Sequence, residues 1–192
     1  MARTKEFNPE KSLDAAVEVF WESGYERASL DALMDKMGVA RQSLYDTFGD
    51  KRALYLKALE RYRDRNHAYL REILEGDRAV KKAFARIFSD LIEGSRREHE
   101  RGCLLLSANV ELAAHDEEVA KLLRENQAAV EEIFARALRR ARKRGEINAK
   151  KDPEALARYF ATTVQGMRAT ARLDHDRKAL KSVATIALAA LD

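Results

Sequence analysis

Apolar residues recur at alternating intervals of three and four along almost the whole chain, and no segment sustains the period of two that a half-buried strand requires. The pattern predicts an all-α protein. A first stripe, Leu13, Ala16, Val17 and Phe20, follows Asn8 as cap and Pro9 in the first turn, and Gly24 ends it. A second stripe, Leu30, Leu33, Met34 and Met37, opens at Ser29, whose hydroxyl can cap free backbone N–H groups, and stops at Gly38, which suits the left-handed backbone that ends a helix. Val39 plugs the corner, and the next helix turns Leu44 and Phe48 inward. Gly49-Asp50 opens a long helix running to Gly76; Asp77 starts another, with Val80, Phe84, Ile87, Phe88 and Leu91 on one face, that ends in the polar stretch SRREHERG. The short segment CLLLSANVELAA is apolar on most sides and so is expected to be central. Asp116 caps a long helix with Val119, Leu122, Leu123, Val130, Ile133, Phe134 and Leu138 as its stripe, closing at Gly145. Asp152-Pro153 starts a helix reaching about Leu173, and a last one runs from about Asp176.

Between Leu33 and Phe48 two short helices pack around a glycine turn, as a helix-turn-helix requires. At about 100° per residue, Gln42, Tyr45 and Asp46 point away from the inward side of the second helix. Ser43 lies at its flank, and Arg41 sits in the first turn, where a long side chain can reach outward. A helix presented this way fits the DNA major groove, which makes a DNA-binding regulator the leading expectation.

These residues resemble the N-terminal signature of the TetR family of transcriptional regulators. The features that agree are the apolar helix Ala15 to Phe20, the pair Gly24-Tyr25, Ser29, Gly38-Val39, the helix Leu44-Tyr45-Asp46-Thr47-Phe48, and Lys51. Roughly the first sixty residues carry the match, and beyond them the likeness is only one of length and helicity. The resemblance implies an all-helical homodimer in which residues 1–52 form a three-helix DNA-binding domain. A long helix then joins that domain to a ligand-binding and dimerisation domain, residues 53–192. It implies a repressor that binds a palindromic double-stranded operator and is released by a small-molecule inducer. Carried over residue by residue, Ser29 and Lys51 are phosphate contacts, while Arg41, Gln42, Ser43 and Tyr45 face the groove. Asp46 and Thr47 depart from the aromatic and basic residues common at those positions; an acid there can accept from a cytosine amino group or orient Arg41.

Composition bounds the picture. With 192 residues, 46% hydrophobic and 35% charged, the chain can bury a core in one or two domains. The N-terminal MARTKEFNPEK lacks an apolar core segment and no run approaches the ~20 apolar residues of a membrane span, so a cytoplasmic protein is expected. A single Cys excludes an intrachain disulfide and a zinc site built on paired cysteines. The net charge of +4 does not favour the N-terminal segment: residues 1–52 hold 8 Lys/Arg against 10 Asp/Glu. DNA binding then depends on position, with Arg3, Lys5, Arg41, Lys51 and Arg52 gathered at one surface and Asp14, Glu18 and Glu22 on the far side of the first helix. The densest basic cluster, Arg136 to Lys151, reads as a solvated helix C-terminus complementing the dipole.

Catalytic chemistry is not signalled. His67, His99, His115 and His175 are scattered, no phosphate-binding glycine loop or HExxH exists, and His115-Asp116-Glu117-Glu118 reads as helix capping rather than a metal cluster. No enzyme, metal or cofactor is expected. Following the resemblance, an inducer pocket lies among the middle helices, where Phe84, Ile87, Phe88, Leu105, Asn109, Leu112, Phe134, Tyr159 and Met167 supply candidate walls for an apolar or aromatic compound. The last two helices, residues 153–191, are the expected dimer interface, forming a four-helix bundle across a two-fold axis; the competing reading makes both faces intrachain core. Cys103 stays open between two roles. A helix start and Arg101 favour a reactive thiolate, whereas Leu104, Leu105 and Leu106 favour an inert core thiol. The alternative to a regulator is a helical interaction or scaffold protein that has lost DNA binding, motivated by the acidic balance and Asp46.

Overall fold

Ten helices, and no strand, make up the regular structure of the described residues, 7–76 and 78–192 of a computed structural model. They are α1 (Pro9–Arg27), α2 (Leu30–Met37), α3 (Arg41–Phe48), α4 (Lys51–Leu74), α5 (Val80–Glu93), α6 (Arg96–Arg101), α7 (Leu104–Leu112), α8 (Glu117–Lys143), α9 (Pro153–Leu173) and α10 (Arg177–Ala189). Arg3 and Lys5, expected at the basic surface, and Asp77, expected to start a helix, lie outside the described residues.

Local chemistry sets most of these boundaries. Asn8, Ser29, Asp50, Asp116, Asp152 and Asp176 each accept backbone N–H groups at their helix starts, satisfying donors that have no intrahelical partner. Gly38 closes α2 in the left-handed conformation (φ 65°, ψ 37°), and Gly145 (φ 73°) follows α8. Three expectations need correction. Backbone hydrogen bonding resumes after Gly24, so α1 is interrupted there (φ 76°, ψ 177°) rather than ended. α5 begins at Val80, where Ala79 offers no side-chain cap and the Glu146 carboxylate accepts from the Val80 N–H at 2.6 Å. SRREHERG is a helix of its own, α6, because Ser95 and Glu98 form a reciprocal capping box.

The buried apolar residues form two clusters. One joins Ala16, Val17 and Phe20 of α1 to Leu33, Leu44, Phe48, Leu54 and Tyr55, and it extends to Leu104, Leu105 and Ala108 of α7 and Val119 of α8. The other holds the stacked rings of Phe84 and Phe160, 4.2 Å between centroids, together with Phe88, Phe134, Met167, Leu180 and Ala187. α7 thus belongs to the N-terminal cluster on one side, although Val110 is 82% exposed, so this helix is not buried all round as expected. No described helix is long and apolar enough to cross a membrane.

Candidate nucleic-acid interface and regulatory cavity

α3 is held by two anchors and shows solvent a polar face. Leu44 and Phe48 are buried, whereas Arg41, Gln42, Tyr45 and Asp46 are exposed and Ser43 and Thr47 are half-buried. The left-handed Gly38 and the buried Val39 turn the chain sharply enough to aim α3 outward from α2. Asp46 accepts from Gln42 Nε2 at 2.8 Å, and Arg41 Nη2 reaches Asp31 at 3.2 Å; the acid therefore engages Gln42, not Arg41. Ser29 Oγ accepts from the Ala32 N–H at 3.1 Å. Lys51 Nζ donates to the Glu26 carbonyl at 3.3 Å and lies 4.6 Å from the centre of the Tyr25 ring, which leaves ammonium hydrogens for another acceptor.

Four of the five acids of α1, Glu10, Asp14, Glu18 and Glu22, are neutralised by basic residues from outside residues 1–52. Arg61 pairs with Glu10 and Asp14, Arg65 with Asp14, Arg101 with Glu18 and Glu22, and Arg97 with Glu22. The Arg61 and Arg65 contacts lower the Asp14 pKa against the opposing effect of burial. None of these acids is on α3.

Three further contacts tie α1 and the start of α4 to the helices that follow. At the Gly24 break, the N–H groups of Tyr25 and Glu26 donate to the Glu111 carboxylate of α7 at 3.1 and 2.8 Å. Trp21 Nε1 donates to the Gly102 carbonyl at 2.9 Å. Arg52 makes a two-pronged contact with Asp116 at 2.7 and 2.8 Å; its hydrogen bonds hold that carboxyl at about 2, against partial desolvation.

A cavity of about 410 Å3 opens between α4, α7, α8 and α9. Of the expected pocket residues, Leu105, Asn109 and Phe134 line it. Phe84, Ile87 and Phe88 are packed instead in the second core cluster, as is Met167, which also borders a groove between α9 and α10. Leu112 packs against the N-terminal cluster, and Tyr159 is 41% exposed on α9. Sequence reasoning missed Asn66, Asn126, Gln127, Gln165 and Arg168, which give the cavity its polar wall. Their signal was present: Asn126 falls between Leu123 and Val130, and Arg168 between Val164 and Ala171, at intervals of three and four on otherwise apolar stripes. Cys103 also lines the cavity, with its sulfur 3.9 Å from Arg168 Nη1. A wider cleft of about 590 Å3 lies at the surface between α4 and α5, and its Arg86 and Asp90 are already paired.

On the last two helices, Phe160, Met167, Leu180, Ala184, Ala187 and Leu191 face the intrachain core. Tyr159, Val183 and Ile186 remain exposed, the last at 70%. Among the described residues no cluster of side chains is suited to a metal ion.

Residues 13–58 match the sequence model of the bacterial regulatory proteins of the tetR family, and residues 80–187 match that of the tetracyclin repressor-like C-terminal domain. The chain is 36% identical over 194 residues to YezE, an uncharacterised HTH-type transcriptional regulator of Bacillus subtilis (strain 168), with both chains fully covered. It is 29% identical to the HTH-type transcriptional repressor ComR of Escherichia coli (strain K12), covering 88% of this chain and 82% of that one. Its fold superposes on a cysteine-substituted form of the TetR family regulator CifR, complexed with 26-bp operator DNA, with a TM-score of 0.86, 30% identity and full coverage of both chains. Helix-turn-helix geometry, both domain signatures and end-to-end similarity converge, and the chain belongs to the TetR family of transcriptional regulators, DNA-binding proteins rather than enzymes.

Proposed function

We propose that this chain is a ligand-controlled repressor that binds a palindromic operator as a homodimer, with residues 1–52 reading DNA and residues 53–192 binding an inducer and the second subunit. The outward face of α3 carries the reading: Arg41, Gln42, Tyr45 and Asp46 are exposed on a helix whose opposite side is anchored by Leu44 and Phe48. Arg41, Gln42, Ser43, Tyr45, Asp46 and Thr47 are the groove-facing set, and Ser29 and Lys51 meet phosphates. The acidic balance of residues 1–52 does not oppose this, because four of the five acids of α1 are paired with Arg61, Arg65, Arg97 and Arg101. That observation favours DNA binding over the scaffold reading.

The apolar side of the cavity suits an inducer with an apolar or aromatic body. α7 supplies a physical link, since Leu105 and Asn109 line the cavity while Glu111 on the same helix holds the backbone at the Gly24 break. An inducer that shifts α7 changes the setting of α1, and hence of the two recognition helices in a dimer. It must bind the released state more tightly, by ~1 to 3 kcal/mol for a typical coupling. The partner surface is the exposed face of α9 and α10, where Tyr159, Val183 and Ile186 lie beside small residues such as Gly166. A second copy covers it.

Binding of operator variants across a salt series tests the assignment. Lys51→Ala is expected to weaken all sequences alike and to lower the salt slope by roughly one unit, whereas Gln42→Ala and Tyr45→Ala act more on some sequences than on others. A Lys51→Ala protein with altered sequence preference and an unchanged slope would contradict these roles.

A further inference from the structure

The walls of the 410 Å3 cavity hold two arginines, Arg124 and Arg168, and no carboxylate, in a chain with 32 Asp and Glu. Arg124 is exposed and already paired with Glu117. Arg168 differs. It stands half-buried on α9, where it also borders a smaller hollow shared with Asp90 and Glu98, yet among the described residues no carboxylate lies within ion-pair distance of it; one Nη2 donor goes to Asn66 Oδ1 at 3.2 Å, and Nη1 faces the weak acceptor Sγ of Cys103 at 3.9 Å. A guanidinium carries five N–H donors and cannot shed its proton, so the positive charge persists in the cavity, where desolvation makes it costly until an anion arrives. Carboxylate and phosphate both match that fork through two parallel hydrogen bonds, and a largely apolar lining favours the singly charged carboxylate, which costs less to desolvate.

The rest of the wall is mixed. Asn126, Gln127 and Gln165 add amide groups, while Leu105, Leu123, Val130, Phe134, Ala161 and Val164 offer an apolar surface. The volume lies within the range typical of small-molecule sites. Resting on the reading of this cavity as the inducer site, we infer that it takes an organic acid, with its carboxylate on Arg168 and its apolar body against Leu105, Val130 and Phe134. Neutral and cationic compounds of the same shape are disfavoured, because they leave the guanidinium uncompensated or add a like charge.

A panel of short- to medium-chain and phenyl-substituted carboxylic acids, each paired with its primary amide and its amine, tests this with the full-length protein at about pH 7.5, where the acids are ionised. Thermal stabilisation and calorimetric Kd give binding, and operator affinity is measured in parallel. At least one acid is expected to bind roughly tenfold to a hundredfold more tightly than its amide, the size expected of a charge-assisted contact. Arg168→Gln is expected to bring acid and amide to about the same Kd, and Arg168→Lys, which keeps the charge without the fork, to retain part of the preference. Amides or amines binding as well as acids, no acid binding, or an unchanged preference in Arg168→Gln would each overturn the inference; the first and second need no variant. The regulatory reading fails separately. Acids that bind selectively yet leave operator affinity unchanged uphold the ligand class and refute the control of DNA binding, whereas amides that release the operator do the reverse.

Discussion

Glu111 connects sequence to mechanism at a single residue. Its carboxylate takes the two N–H groups that the Gly24 break removes from α1's own ladder. Glu111→Ala leaves both donors to solvent and is expected to cost about 1–3 kcal/mol in urea unfolding, while weakening the coupling of ligand to operator. Gly24→Ala should be as harmful: at φ 76°, ψ 177° the backbone is in a region nearly reserved for glycine, at about 1–3 kcal/mol for other residues, and the added Cβ would sit 3.0 Å from Glu111 Oε2. Asp116 gives a pH signature. Because Arg52 lowers its pKa to about 2, its contribution to stability is present above the ordinary carboxylate range and is lost as pH falls toward 2. Acid unfolding of Asp116→Asn should therefore be less steep between that range and about pH 2 than in wild type; superimposable curves would show that the Arg52 contact contributes nothing. Cys103 is buried, so a thiol-alkylating reagent is expected to leave operator binding unchanged; loss of binding in wild type but not in Cys103→Ser would mark the thiol as a sensor instead.

Elements were legible where a cap and an apolar stripe agreed. Asn8-Pro9, Ser29, Asp116, Asp152-Pro153 and Asp176 mark helix starts because side-chain oxygen must serve the first N–H groups, and the structure places helices there. The start of α5 was not legible from neighbouring residues, since its cap, Glu146, comes from the far end of α8 and only the tertiary fold brings it near. α6 was legible in principle from the Ser95 to Glu98 spacing, but charge obscured it. The cavity was read poorly for a related reason: Phe84 and Phe88 each pack against Phe160, so these large aromatic residues marked core, while the polar residues on apolar stripes marked the hollow. The last two helices mix both cases. Ala187 is 0% exposed within the subunit, so Ala187→Arg is expected to unfold it, whereas Ile186→Glu, at a 70% exposed site, should leave a folded monomer by light scattering and circular dichroism. A dimer that survives Ile186→Glu and Val183→Glu together would place the interface elsewhere.

Across the whole molecule, charge and contact are shared between the two ends of the chain. Arginines of α4 and α6 neutralise four of the five acids of α1, and α7 belongs at once to the N-terminal core and to the cavity wall. Ligand and DNA are therefore expected to be linked reciprocally: a compound that weakens operator binding by a given factor should itself bind the operator complex more weakly by that factor. A two-fold dimer further requires inverted half-sites, because each subunit presents one α3 and the spacing of the two helices sets the spacing of the sites. Selection of bound sequences from a random duplex library by the ligand-free protein, followed by salt titration of the winners, tests whether α3 reads DNA. An enriched inverted repeat whose affinity falls steeply with salt and rests on Arg41, Gln42 and Tyr45 is the expected result. No enriched sequence from the ligand-free protein, or an enriched sequence indifferent to all three substitutions, would contradict a DNA-reading role for α3.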